Sequence, residues 1–211
     1  MKALVIVKQK CTYLADRMNV QSDEISSKKT AILKSTLELI GENGFHGVPM
    51  SKISGNAGVA AGTIYHYFES KDAIIRELGA QIKKQMAEAM FSTDYADKNY
   101  REQFFIGWIN VCRYFIQNKD ALTFIEQYNS SPYSKSESEP VSPFKERFNA
   151  FFQLGMDQGV VKKMEYSLIA AIVFGCIMTT AKFHTQGKHE YTDSDLCKIA
   201  NVIWDGIKVP D

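Results

Sequence analysis

Four cysteines and four histidines are the side chains in this 211-residue chain best suited to nucleophilic, metal-binding or acid–base chemistry. Cys11, Cys112, Cys176 and Cys197 lie far apart and form no C-x-x-C pair. His46, His66, His184 and His189 show no metal-ligand spacing with them. The pattern reads as buried, reduced thiols in a cytoplasmic protein, with no metal and no cofactor. His66 stands one turn from Gly62 without a spaced nucleophile or carboxylate partner. His184 and His189, near Asp193, read as solvated or capping residues. The glycines between Ser54 and Gly62 suit a helix–helix turn rather than a phosphate-binding loop. No enzyme signature emerges from these residues. Hydrophobic residues make up 45% of the chain and charged residues 23%, as in ordinary soluble globular proteins. The net charge of +1 gives no global cationic field. Any binding to nucleic acid must therefore come from local geometry, hydroxyls and helix ends.

Those local groups are concentrated in Pro49 to Lys71, PMSKISGNAGVAAGTIYHYFESK. Pro49 suits the first position of a helix, where its missing N–H is not needed. Met50, Ile53 and Ala57 then share one face. Gly58 supplies a left-handed stop and Val59 an apolar plug. A second short helix runs from Ala60 to Tyr67, with Ile64 and Phe68 turned inward. Two helices joined by so short a turn cross steeply, which is the helix-turn-helix arrangement.

At these positions the chain resembles the TetR family of dimeric bacterial transcriptional repressors. The resemblance rests on Ile53, Ala57, Gly58, Val59, Gly62, Thr63, Ile64, Tyr65, Tyr67, Phe68 and Lys71 and covers about residues 25 to 75. Two departures stand out. Val48-Pro49 replaces the usual hydroxyl cap of the first helix of the motif. Ala60-Ala61 replaces the usual Ser/Thr with Lys/Arg pair. Both remove DNA contacts expected of the family.

The resemblance implies that the helix from Ala60 and Ala61 through Gly62 to Tyr67 enters the major groove of an operator. Thr63 is then placed for a base edge or a thymine methyl. Tyr65 and Tyr67 are placed for phosphates, and His66 for either. Lys71 supplies a charged phosphate contact. Ser51, Lys52 and the first amides of their helix hold another phosphate.

The rest of the chain reads as helical. Residues 1–22 form an extension of unassigned role, read as an added strand or helix or a disordered lead. Its apolar run, Ala3 to Val7, precedes Lys8 and Lys10, the wrong order for a signal peptide. From residue 23, Ile25, Ile32, Leu33, Thr36, Leu37 and Ile40 make a stripe ended by Asn43-Gly44. Phe45 and Val48 complete a small core. Ser70 is a cap for a long helix to about Met90, with Ile75, Leu78, Ile82 and Met86 on one face and Gly79 marking a bend. The expected architecture is all-α. A three-helix DNA-binding domain spans residues 23–75, and a helical effector-binding and dimerisation domain spans 76–211.

Helices are expected over Tyr100–Asn118, Asp120–Asn129 and Phe144–Gln158, with a polar loop over Ser130–Pro143. Leu168 to Ala181 is uncharged and apolar nearly all round, so it is expected to be buried on every side. It is too short for a membrane span. Thr192 and Asp195 open a last helix with the stripe Leu196, Ile199, Ala200, Ile203 and Ile207, while Val202 and Trp204 lie off it. The surplus apolar surface of these two helices, with the resemblance, implies a two-fold four-helix interface in a homodimer. Phe104, Trp108, Phe115, Phe124, Tyr128, Phe148, Phe152 and Phe174 are candidates to line a cavity for a small apolar effector. The function read from the sequence is a repressor released from a near-palindromic operator by that effector. The alternative is a helical protein-interaction module that no longer reads DNA, with Ala60-Ala61 as its support. A helical enzyme is the third and weakest reading.

Overall fold

The computed structural model describes residues 27–91, 97–135 and 142–210. Contacts divide the chain into two units, one ending at Ile75 and the other beginning at Arg76. Every regular element among the described residues is helical, apart from a single antiparallel bridge between Val161 and Lys208.

The first unit is built on α1, residues 27–43, which ends at Gly44 with a left-handed φ of 69°. Ile32, Leu33, Leu39 and Ile40 of α1 are buried. The sequence stripe names Leu37, but Leu37 is only half-buried and Leu39 takes its place. Ile25 lies outside the described residues. Two buried hydroxyls, Ser35 and the stripe residue Thr36, share this face. Thr36 Oγ1 donates to the Ile32 carbonyl at 2.8 Å, satisfying itself within the helix. Ser35 Oγ donates to the Ile53 carbonyl at 3.2 Å and so fixes α1 against the next helix. That helix, α2, is Met50–Ala57, and α3 is Ala61–Tyr67. Phe45, Val48, Ile53, Ile64, Phe68, Ile74 and Ile75 complete the buried set.

Helix α4, Lys71–Phe91, starts in the first unit and continues into the second. Ser70 caps it, its Oγ accepting from the Ala73 amide at 3.2 Å, and Asp72 lies in the first turn. In the second unit follow α5 (Tyr100–Gln117), α6 (Lys119–Asn129), a 3-10 turn (Pro132–Lys135), α7 (Pro143–Asp157), α8 (Tyr166–Thr185) and α9 (Asp193–Ile207). Helix α5 is the hub, packing on α6, α8 and α9. Its face of Phe104, Trp108, Val111, Cys112 and Phe115 is buried. Each such large side chain stabilises the fold by roughly 1.5–3 kcal/mol through area removed from water.

Helix starts in this unit are specified by side chains. Asn99 and Glu102 form a reciprocal capping box on α5, which the sequence reading did not pick out. Thr192 and Asp195 form the other on α9. The Thr192 hydroxyl, and then Lys198, hold the Asp195 carboxyl well below the usual carboxylate range.

Three expectations are corrected here. Helix α8 is longer than its uncharged stretch, at 20 residues, and is not buried all round. Leu168, Ile172 and Phe183 expose 56%, 41% and 39% of their surface. By length and composition it could cross a membrane. Trp204, placed off the α9 stripe, is buried, because its ring packs on Phe104 at 5.4 Å and near Tyr100 at 6.1 Å. The cysteines are not uniformly buried: Cys112 is, Cys176 is half-buried and Cys197 is exposed, while Cys11 lies outside the described residues.

Candidate nucleic-acid interface and effector cleft

The helix-turn-helix is set by Gly58, whose φ of +65° is left-handed. Its amide donates to the Gly55 carbonyl at 3.3 Å, and the Val59 amide to the Ser54 carbonyl at 3.1 Å. Helix boundaries differ by one residue from the sequence reading. Pro49 and Ala60 are N-caps, with extended backbone, rather than first helical residues. Ile53 and Ile64 fix the inner faces of α2 and α3.

The opposite face of α3 is what a partner would meet. Ala60, Ala61, Gly62, Tyr65 and His66 are exposed, and Thr63 and Tyr67 are half-buried. Tyr65 exposes 58% of its surface, unusual for a large aromatic side chain. A Cβ placed on Gly62 would meet open space, so packing within the chain does not demand glycine there. His66 and Tyr67 meet edge to face at 5.3 Å. On α2, Ser51 and Lys52 are exposed. The Lys52 ammonium donates to Asn43 Oδ1 at 3.2 Å, a brace to the end of α1 that sequence spacing did not reveal.

Lys71 has a second role that the motif does not advertise. Its ammonium donates to the Phe45 carbonyl and is half-buried. Burial lowers its pKa from the ordinary lysine value, partly offset by Asp72. This contact engages one of the three ammonium hydrogens.

In the second unit the eight candidate aromatics separate into two groups. Phe104, Trp108, Phe115, Phe124, Tyr128 and Phe152 are fully buried. They are packed ring to ring or against helices, as in Phe124 on Tyr128 at 5.7 Å, and line none of the described clefts. Phe148 and Phe174 do line one, a cleft of about 590 Å³ between α7 and α8. Phe144, Tyr166 and Ala170 join them, with Lys145, Asn149, Glu165 and Ser167. Sequence reading missed Phe144, Ala170 and Tyr166; on α8 the available signal was the run Tyr166, Ala170, Phe174 at steps of four residues. Among the described residues no group of side chains is arranged to hold a metal ion.

The architecture is thus a short helix-turn-helix unit followed by an all-helical unit. The chain belongs to the TetR family: residues 32–78 match the model of the bacterial regulatory proteins of the tetR family. Residues 79–209 match the tetracyclin repressor-like C-terminal domain. The family is one of transcriptional regulators, not of enzymes. An uncharacterized HTH-type transcriptional regulator of Haemophilus influenzae is 31% identical over 49% of this chain and 56% of its own length. The fatty acid metabolism regulator protein of Bacillus subtilis is 43% identical over 30% of this chain and 32% of its own. The chain thus spans little more than half of the first relative and about a third of the second. A TetR family regulator from Marinobacter aquaeolei shares the fold with TM-score 0.80 at 22% identity, over 90% of this chain and 99% of that one. FadR from Bacillus subtilis, solved with stearoyl-CoA, has TM-score 0.62 at 22% identity, over 83% and 95%.

Proposed function

We propose that the chain is a cytoplasmic homodimeric repressor that leaves a near-palindromic operator when a small apolar effector binds. The observation that carries the DNA part is the outward face of α3. Tyr65 and His66 are held exposed beside the small Ala61 and Gly62, on a helix whose inner face is anchored by Ile64. Small residues let the backbone approach the groove closely, and Thr63 supplies base readout. Tyr65, Tyr67, Ser51, Lys52 and Lys71 supply positioning contacts to phosphates.

Dimerisation is supported by the outward side of α8, where Leu168, Ile172 and Phe183 expose apolar surface beside Gly175, and by Val202 of α9, 74% exposed. A patch of this kind marks an interface. A second copy covering it also accounts for an apolar helix in a protein that acts on cytoplasmic DNA. The α7–α8 cleft is the effector site. The effector acts by binding the operator-incompetent conformer more tightly, since equal affinity shifts nothing. Helix α4, shared by both units, is the route.

The test is an electrophoretic shift with the DNA upstream of the chain's own coding sequence, repeated with lipophilic compounds selected by thermal shift. A retarded band that lipophiles release supports the reading. Absence of any sequence-preferring shift leaves the protein-interaction module, the reading that Ala60-Ala61 favours.

A further inference from the structure

Helix α8 presents Tyr166, Ala170, Phe174, Met178 and Lys182 at every fourth residue. The row extends ~24 Å along the helix and is inclined ~26° to its axis. Two clefts lie along it. The first is the α7–α8 cleft, to which Tyr166, Ala170 and Phe174 belong. The second, of about 530 Å³, takes in Phe174, Met178 and Lys182, with Glu126, Gln127 and Asn129 of α6. Phe174 lines both, with its ring 6.0 Å from Phe144 and 6.3 Å from Phe115.

The two ends differ in character. The first cleft has three phenylalanines and an alanine as its apolar wall, with Tyr166 and the polar Lys145, Asn149, Glu165 and Ser167 also lining it. The second has Phe174 and Met178 as its apolar residues against a polar set from α6. Its charges cancel: Lys182 Nζ lies 3.0 Å from one Glu126 carboxylate oxygen and 3.3 Å from the other. A carboxylate or phosphate placed there must compete with Glu126 for Lys182 and meets the Glu126 charge, at a pair whose side chains are 34% and 43% exposed. An amide has a carbonyl for Lys182 and an N–H for Glu126, so it joins the pair without breaking it.

We infer that α8 carries one groove for a straight acyl chain that ends in a neutral, amide-bearing head. The chain occupies the first cleft and passes the Phe174 ring, and the head meets Glu126 and Lys182. A flexible chain can follow an inclined ridge of this length; a rigid polycycle cannot. The inference rests on the effector reading above and gives it a ligand class. The head chemistry is shared by a simple acyl amide lipid and by an acyl chain carried as a thioester on an amide-containing arm.

Calorimetric titration of the full chain with palmitoyl ethanolamide, palmitoyl pantetheine and palmitate tests it. At least one amide-headed ligand should bind about tenfold or more tighter than palmitate, and which one does identifies the source. Ala170→Phe, which fills the first cleft, should weaken the preferred ligand about tenfold or more. Lys182→Met should narrow its advantage over palmitate. Octanoyl ethanolamide, too short to reach both clefts, should bind far more weakly; this arm needs no variant to fold. Palmitate binding as tightly as the amides overturns the inference, as does an Ala170→Phe variant that folds and binds normally. If no straight-chain ligand binds but another lipophile releases the operator, the groove is wrong and the regulator stands. If no lipophile releases the operator, the effector reading itself fails.

Discussion

Gly79 of α4 lies directly against the ring of Tyr128 of α6: a Cβ at Gly79 would stand 2.6 Å from Tyr128 Cε2 and 2.8 Å from Cζ. The glycine is there to admit the ring. The Tyr128 ring is stacked on Phe124 and Tyr133 and capped by the Lys83 ammonium at 4.6 Å, so it has little room to retreat. Gly79→Ala gains up to ~1 kcal/mol of helix propensity but overpacks this contact by ~1–3 kcal/mol. Net destabilisation is expected, read as a lower urea midpoint. Tyr128→Leu in the same chain should recover part of it, a non-additive pair.

Lys71 and Thr63 should separate cleanly in DNA binding. Lys71→Ala removes a proposed phosphate contact and the staple to the Phe45 carbonyl. It should lower the melting temperature, weaken binding to all duplexes alike and reduce the salt slope by about one. Thr63→Ala should leave the melting temperature nearly unchanged and alter the preferred sequence. Unchanged sequence preference in Thr63→Ala, with unchanged affinity in Lys71→Ala, would contradict the proposed docking of α3.

Helix α8 offers a paired test of the dimer. Gly175 is exposed and a Cβ there meets open space, whereas Ile177 is buried at 1%. Gly175→Arg should give a folded chain that sediments as a monomer and loses affinity for an operator of two half-sites. Ile177→Arg should fail to fold, because it buries an unpaired charge at a cost of several kcal/mol. A dimeric Gly175→Arg protein would refute the proposed interface.

Alkaline pH should destabilise the fold through Cys112. Burial pushes this thiol up from 9.0 to about 12. The unfolded chain therefore loses that proton first, and stability present below pH 9 is lost as pH rises toward 12. The slope for one such group is about 1.4 kcal/mol per pH unit within that window. Tyr114, raised to about 12 by burial, acts in the same direction. Cys112→Ala should show a shallower loss of stability than the parent chain between neutral pH and pH 11. Parallel curves would argue against the buried thiol as a source.

The helix-turn-helix was legible because its signals are local. Gly58 must be left-handed, and Ile53 and Ile64 must turn inward, whatever the rest of the chain does. Where an element's neighbours decide, reading fails. Trp204 stands four residues after Ala200 and eight after Leu196, at the edge of the α9 stripe, where Phe104 and Tyr100 of α5 decide its burial. Gly79 looks like a helix flaw until Tyr128 is seen above it. The cleft residues were half-legible: an aromatic count cannot tell a ring packed on other rings, as Phe152 is, from one facing open space, as Phe174 does. Lys71 was read as a surface cation because nothing in its local sequence announces the Phe45 carbonyl.

Helix α8 has little surface left over. Ile169, Val173, Ile177, Thr180 and Ala181 face the core, and Tyr166, Ala170, Phe174, Met178 and Lys182 face the clefts. Leu168, Ile172, Gly175, Thr179 and Phe183 face outward. With the outward set assigned to a second copy and the cleft set to a ligand, one helix answers to three separate selective pressures. A change that retunes ligand choice lies within one residue or one turn of positions that hold the fold or the pairing. Inheritance along this helix should therefore be conservative even as ligand choice drifts among related chains. New specificities should enter through α6 and α7, whose cleft-lining residues carry fewer simultaneous obligations.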